Sequence, residues 1–200
     1  MTGPEMIYQW KVEFDVIASG AAPGFEDSEI YVLLNKAYNN LILELYKNKD
    51  WVSLQNLIHA TFCVNGALPI MFWLYVDSYS NITRSSYPST GFSQTLNSSI
   101  PLDVTNKLVS VEDFSKYRQS IFNFYSIIKN PYVCISGNLI SIITDIQTTL
   151  FGITVIYIKI PLTISNNQQC DLQESFHKTI VTIAVELAKQ SISIKEPKKQ

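Results

Sequence analysis

Apolar residues recur at helical spacing from the start of the chain. Met6, Trp10, Phe14 and Ile17 fall three or four residues apart and predict one buried stripe along a helix within the first 20 residues. Thr2 and Glu5 supply a capping-box pattern ahead of it, with Pro4 tolerated in the first turn. The run Ser19-Gly20-Ala21-Ala22-Pro23-Gly24 then breaks the pattern with small, turn-forming residues. A second helix is predicted from near Asp27 or Ser28 through Tyr46, with acidic residues in its first turn, where the helix dipole favours them. Ile30, Leu33, Leu34, Ala37, Leu41 and Leu45 mark its apolar face. Asp50 is placed to cap a third, shorter helix over 51–58. Connections this short favour an antiparallel helical layer.

The pattern changes after residue 60. Segments 61–64, 70–79 and 102–111 read as strands, the second being rich in β-branched and aromatic residues. Glu112 to Gln119 reads as a short helical segment capped by Ser110. Residues 131–136 and 139–146 flank Gly137-Asn138, a dipeptide suited to the positive φ angles of a tight hairpin turn. A further strand over 152–160 is ended by Pro161. The last helix follows a polar loop at 165–169, with Asp171 and Glu174 as a capping pair and Leu172, Phe176, Ile180, Ile183, Ala184 and Leu187 as its apolar stripe.

Helices, then strands, then one helix indicate an α+β fold. The expected architecture is an antiparallel helical layer of N-terminal and C-terminal helices carrying an inserted antiparallel β-sheet or sandwich. The helical layer is assigned to 1–59 and 170–194, the β-rich insertion to 60–169, and a basic tail to 195–200. That tail, with Lys195, Lys198 and Lys199 around Glu196 and Pro197, reads as a solvated terminus. The stretch 80–99 is Ser-rich, and Arg84 is its one charged residue. A loop of this length inside a compact domain usually has a task. Its Ile82, Arg84, Tyr87 and Phe92 are read as an arm that reaches a neighbouring subunit.

Composition sharpens this picture. Hydrophobic residues make up 46% of the chain and charged ones 16%, against roughly 25% charged in an ordinary soluble domain. With so few charges, part of the surface is expected to be buried against other protein. The net charge of -2 and pI near 5.7 leave no basic stripe to release counterions from a nucleic acid. Cys63, Cys134 and Cys170 are odd in number and form no C-x-x-C pair, which argues against a disulfide framework or zinc site and fits a reducing compartment. No secretory signal and no apolar run of roughly 18 to 20 residues is present, so no membrane association is expected and the chain is read as soluble and intracellular when made. The sequons at Asn81 and Asn97 then carry no functional weight.

Candidate chemistry is sparse. His59 and His177 are the only histidines and belong to no zinc-binding spacing, so both read as structural or solvent-facing. Asp77 and Asp103 could face each other across strands, as paired-carboxylate chemistry would need, but no spacing requires it. His59 and Cys63 have the i, i+4 spacing of a helical base and nucleophile, yet Cys63 sits in an apolar run and reads as a buried thiol. Phosphate-loop, dinucleotide and nucleophile-elbow motifs are missing. The expectation is a non-enzymatic chain with no catalytic residue, metal site or cofactor.

Two segments carry a resemblance to a known family. Met6-Ile7-Tyr8 through the Ser19–Phe25 break, followed by Glu29-Ile30 and Leu33-Leu34-Asn35-Lys36-Ala37-Tyr38, resembles the opening of ring or adaptor proteins of tailed bacteriophages. The likeness is to the head-to-tail connector proteins of crAss-like phages. Cys170 through Val181 and Ala184 through Ala188 are similar to that family's C-terminal helix, and Lys129-Asn130-Pro131 with the following hairpin also fits. The likeness spans the order of elements along nearly the whole chain, is sharpest at the two ends, and leaves 80–99 unmatched. The resemblance implies a homo-oligomeric ring of twelve subunits at the portal vertex of the virion neck, assembled in the host cytoplasm. Its partners would be the portal protein and further ring or tail-hub proteins. Genomic DNA would pass through the lumen during ejection without sequence-specific binding. A different tail-hub or head-completion protein is the alternative structural reading, and a small enzyme with a cryptic site is the alternative from another class.

Overall fold

The computed structural model describes residues 1–18, 24–63, 65–84, 102–119, 131–144 and 148–195. It is an α+β fold, as the order of patterns indicated. The chain divides into two compact units, Met1–Ile58 with Ile160–Gln200, and His59–Lys159.

The first unit is helical. Helix α1 (Gly3–Ala18) opens on the predicted capping box: Glu5 N donates to Thr2 Oγ1 at 3.4 Å and Thr2 N to Glu5 Oε2 at 2.8 Å. Met6, Trp10 and Phe14 are buried along one face, and Ile17 has no described side chain. The Trp10 ring stacks on Phe14 at 4.7 Å, while Phe25 meets both rings edge-on at 5.4 Å. Helix α2 (Asp27–Lys47) is capped by Glu26 and Glu29; Asn48 is its C-cap, and Lys49 just beyond, at φ 56°, stops the helix. Its buried face includes Tyr38 and Ile42 beyond the predicted positions. The last helix, α4 (His177–Lys195), packs against both α1 and α2 through Ile180, Val181, Ala184, Val185 and Ala188.

Two expectations for this unit are corrected. Residues 51–57 form successive turns rather than a third helix. Asp50 does cap the first turn, accepting from Ser53 N at 3.2 Å and Ser53 Oγ at 2.6 Å, but Ile58 is already drawn into a strand, and too short a stretch is left to propagate a helix. The return crossing falls at Ile160 rather than at residue 170. Residues 160–170 are held by α2: Asn35 accepts from Ile164 N at 2.8 Å and donates to Ile164 O at 3.0 Å, and Tyr31 donates to Asn166 Oδ1 at 2.6 Å. Asp171 Oδ2 accepts from Leu162 N at 3.0 Å, and the N-cap position falls at Gln173 rather than Asp171, ahead of a single 3-10 turn, Glu174–Phe176, that leads into α4.

His177 is the buried histidine of this unit, 3% exposed. Its Nε2 lies 3.2 Å from Leu172 O and its Nδ1 2.9 Å from the Met1 ammonium, an arrangement that requires the neutral tautomer with the proton on Nε2. Burial is the main cause that pushes its pKa below the ordinary 6.5, with the nearby ammonium acting in the same direction and Leu172 O and Glu174 opposing.

The second unit is built on two sheets. The larger has the order β1 (Ile58–Cys63), β7 (Thr148–Lys159), β2 (Phe72–Arg84), β3 (Leu102–Thr105). The smaller has the order β4 (Lys107–Leu108), β5 (Tyr132–Ser136), β6 (Leu139–Ile143), with α3 (Val111–Gln119) packed on β5. Strands β2 and β7 run antiparallel over most of their length, Tyr79 opposite Thr154 and Asn81 opposite Gly152. Alternation sends Ile153, Val155 and Tyr157 into a core shared with Val133 and Ile140 of the hairpin. One pair departs from the all-antiparallel expectation, since β4 runs parallel to β5. The hairpin turn uses positive φ at Gly137 alone, which fits a II′ rather than a I′ turn.

The predicted strand 102–111 is interrupted because Asn106 is buried and turns its amide toward β2. Asn106 Nδ2 donates to Ser78 Oγ at 2.9 Å, Ser80 Oγ donates to Asn106 Oδ1 at 2.5 Å, and Tyr75 OH lies 3.0 Å from Ser78 Oγ. The side chain thereby ties the chain between β3 and β4 to two buried hydroxyls of the sheet.

Two outcomes are expected. Asn106→Ala leaves both serine hydroxyls short of a partner and lowers stability by about 1–3 kcal/mol in denaturant titration. An unchanged midpoint contradicts the network. For His177, the lowered folded pKa means its contribution is fully present above pH 6.5 and is lost as pH falls from there through the folded value. His177→Gln should therefore lose less stability than the parent between about pH 7 and pH 5, whereas parallel curves contradict this.

Candidate interaction surface

The face of the larger sheet opposite the hairpin core carries one row that crosses all four strands. Phe62 of β1 lies over Gly152 of β7, Gly152 is opposite Asn81 of β2, and Asn81 is opposite Asp103 of β3. A Cβ at position 152 would stand 2.7 Å from Phe62 Cε2 and 2.9 Å from Cε1, and closer still to Cζ. Glycine is what lets an aromatic ring lie down on this strand. Asn81 Nδ2 donates to Asp103 Oδ1 at 3.1 Å and closes the polar end of the row. The adjoining row is Thr154, Tyr79 and Thr105. Asp77, on the same face, pushes the Tyr79 phenol pKa upward by its charge and by a hydrogen bond.

Phe62 remains 51% exposed, and so does Phe151, the extra residue where the register shifts between Asn81 and Ile82. Phe62 gives the row an aromatic end at β1, and Asn81 and Asp103 give it a polar end at β2 and β3. A surface of this kind suits contact with protein: the ring offers area at low entropic cost, and the Asn, Asp and Thr groups offer orientation.

The residues predicted for an inter-subunit arm are placed differently. Ile82 is 2% exposed within β2, opposite Leu102 and Leu150, so it belongs to the sheet and is corrected out of the arm. The β-branched pattern of β2 continues past residue 79, and pairing with β7 carries the strand to Arg84, which lies opposite Thr148. Tyr87 and Phe92 lie outside the described residues.

The chemical candidates are not brought together. His59 and Cys63 both lie on β1, where four residues span about 13 Å, so they form no base and nucleophile pair. Burial raises the Cys63 thiol pKa. Asp103 stands opposite Asn81, and Asp77 is four positions away along β2, again about 13 Å, too far for a shared proton. Among the described residues no group of three or more His, Cys, Asp or Glu side chains could hold a metal ion, and no helix is long and apolar enough to cross a membrane. A shallow groove of about 550 Å³ in the helical unit, lined by Tyr31, Val32, Asn35, Lys36, Asn39 and Asn40 among others, includes one cation and neither a carboxylate nor an imidazole.

Sequence reasoning missed Phe62 and Gly152. The available signal was a glycine inside a strand pattern, which often marks close approach by another group. No protein-family model matches the chain, and no curated protein matches it in sequence.

The Phe62–Gly152 contact makes a sharp prediction. Gly152→Ala should cost about 1 kcal/mol by displacing the ring, and in a Phe62→Ala background the same change should become neutral or stabilising by roughly 0.5 kcal/mol. Equal effects in the two backgrounds would remove the contact from the account.

Proposed function

We propose that this chain is a structural subunit of a ring in the neck of a tailed phage virion, docking beneath the portal and linking head to tail. The observation that carries the proposal is the half-exposed Phe62 on its glycine seat, on a chain with only 16% charged residues. Solvated aromatic surface of this kind gains free energy when another protein covers it. A head-to-tail ring needs two unlike patches on each subunit. The β unit offers the Phe62 face; the helical unit offers Tyr8 and Val12, exposed one turn apart on α1. The family resemblance at the two ends of the chain points to the same assembly. A wall that lets DNA slide should not grip phosphates, and a net charge of -2 is consistent with that task.

The test is reconstitution with the cognate portal, followed by electron microscopy and affinity measurement. Phe62→Asp should keep the fold, since the ring is half in solvent, yet weaken ring assembly by about 2 kcal/mol, roughly thirtyfold. Rings of full occupancy from Phe62→Asp, or a parent chain indifferent to the portal, would sink the proposal.

A further inference from the structure

The smaller sheet has a strap along the outer edge of β6, and the strap begins at the only Asn-Gly step in the sequence, Asn65-Gly66. Gly66 O accepts from Ile140 N at 2.7 Å, Ala67 bridges Leu139, and Leu68 N donates to Asn138 O at 2.8 Å. These bonds occupy an edge that would otherwise present unpaired backbone groups.

The fold demands glycine at 66. Its φ is +71°, and a Cβ there would stand 2.6 Å from Ile140 O. No other residue meets both conditions without strain. That requirement has a chemical consequence for the residue before it. Asn65 is exposed, and among the described residues the Gly66 amide nitrogen donates to no carbonyl. A glycine nitrogen carries no side chain to hinder attack on the neighbouring carboxamide.

We propose that Asn65-Gly66 is a self-modification site at which the chain converts its own asparagine to an isoaspartyl or aspartyl linkage. The Gly66 backbone nitrogen attacks Asn65 Cγ and gives up its proton, the Cγ–Nδ2 bond breaks, and ammonia leaves. The resulting five-membered imide is opened by water at either carbonyl. Water is the only co-reactant, and no electrons are exchanged. Opening at the backbone carbonyl reroutes the main chain through the side chain and adds one carbon between residues 65 and 66. The added carbon precedes Gly66, Ala67 and Leu68, so it shifts the point at which Gly66 meets β6; the Gly66–Ile140 hydrogen bond is lost and the β6 edge opens. The new carboxylate also takes the chain from a net charge of -2 to one charge more negative.

The test ages the purified full-length chain in mildly alkaline buffer and maps peptides by mass spectrometry, with isoaspartyl methyltransferase labelling to distinguish the linkages. A short Val-Asn-Gly-Ala peptide runs alongside. Conversion is expected at Asn65 ahead of every other asparagine, within about tenfold of the peptide's rate because the step needs little local opening. Hydrogen exchange on the isoaspartyl fraction should show faster exchange of the Ile140 amide, while Asn65→Gln, aged in parallel, stays unmodified and keeps its protection. Conversion far slower than in the peptide, or an isoaspartyl fraction with Ile140 still protected, would overturn the proposal.

Discussion

The register between β2 and β7 governs most of the second unit. Side chains alternate along these strands, so a slip of one residue would exchange Ser78, Ser80 and Ile82 for Tyr79, Asn81 and Thr83 on the core face. Burial of the apolar set on one side stabilises the observed alignment. Asn106 adds a polar constraint, because its amide meets both buried serine hydroxyls only in this register. Three register shifts, including the bulge at Phe151, let two long strands stay paired while bending. The row from Phe62 to Asp103 is a consequence: it exists because Gly152, Asn81 and Asp103 are brought level with the ring.

The helical unit answers to a different constraint. Its core is the meeting of three apolar helix faces, and what closes it is polar. Asn35 binds the backbone of Ile164 as a neighbouring strand would, and Tyr38 OH accepts from Asp171 N at 3.2 Å. Burial pushes the Tyr38 phenol pKa far upward, so the group works as a neutral anchor. Neither contact can be read from spacing alone, because each joins residues more than a hundred positions apart.

Legibility followed the range of the interaction that decides each feature. The capping box at Thr2 and Glu5, the cap at Ser110, the helical stripes, the hairpin at Gly137 and the strand stop at Pro161 are local, and the sequence pattern was enough for them. The short helix at 51–58 failed because a strand claimed Ile58, and the 102–111 strand failed because Asn106 had a distant partner. Ile82 was misread for a related reason: a polar flank hid the fact that β7 continues to pair there. The pattern did not single out Phe62, which shares the apolar run of Cys63; strand alternation buries Cys63 and turns Phe62 to the other face.

On the proposed role, the face bearing Phe62 and Gly152 is covered by other protein in the assembled ring. Hydrogen exchange compared between the isolated chain and the chain mixed with the proposed portal partner tests this. Added protection is expected in the peptides covering 58–63 and 148–156. Assembly that leaves those peptides exchanging as in the isolated chain, with protection elsewhere, would contradict it.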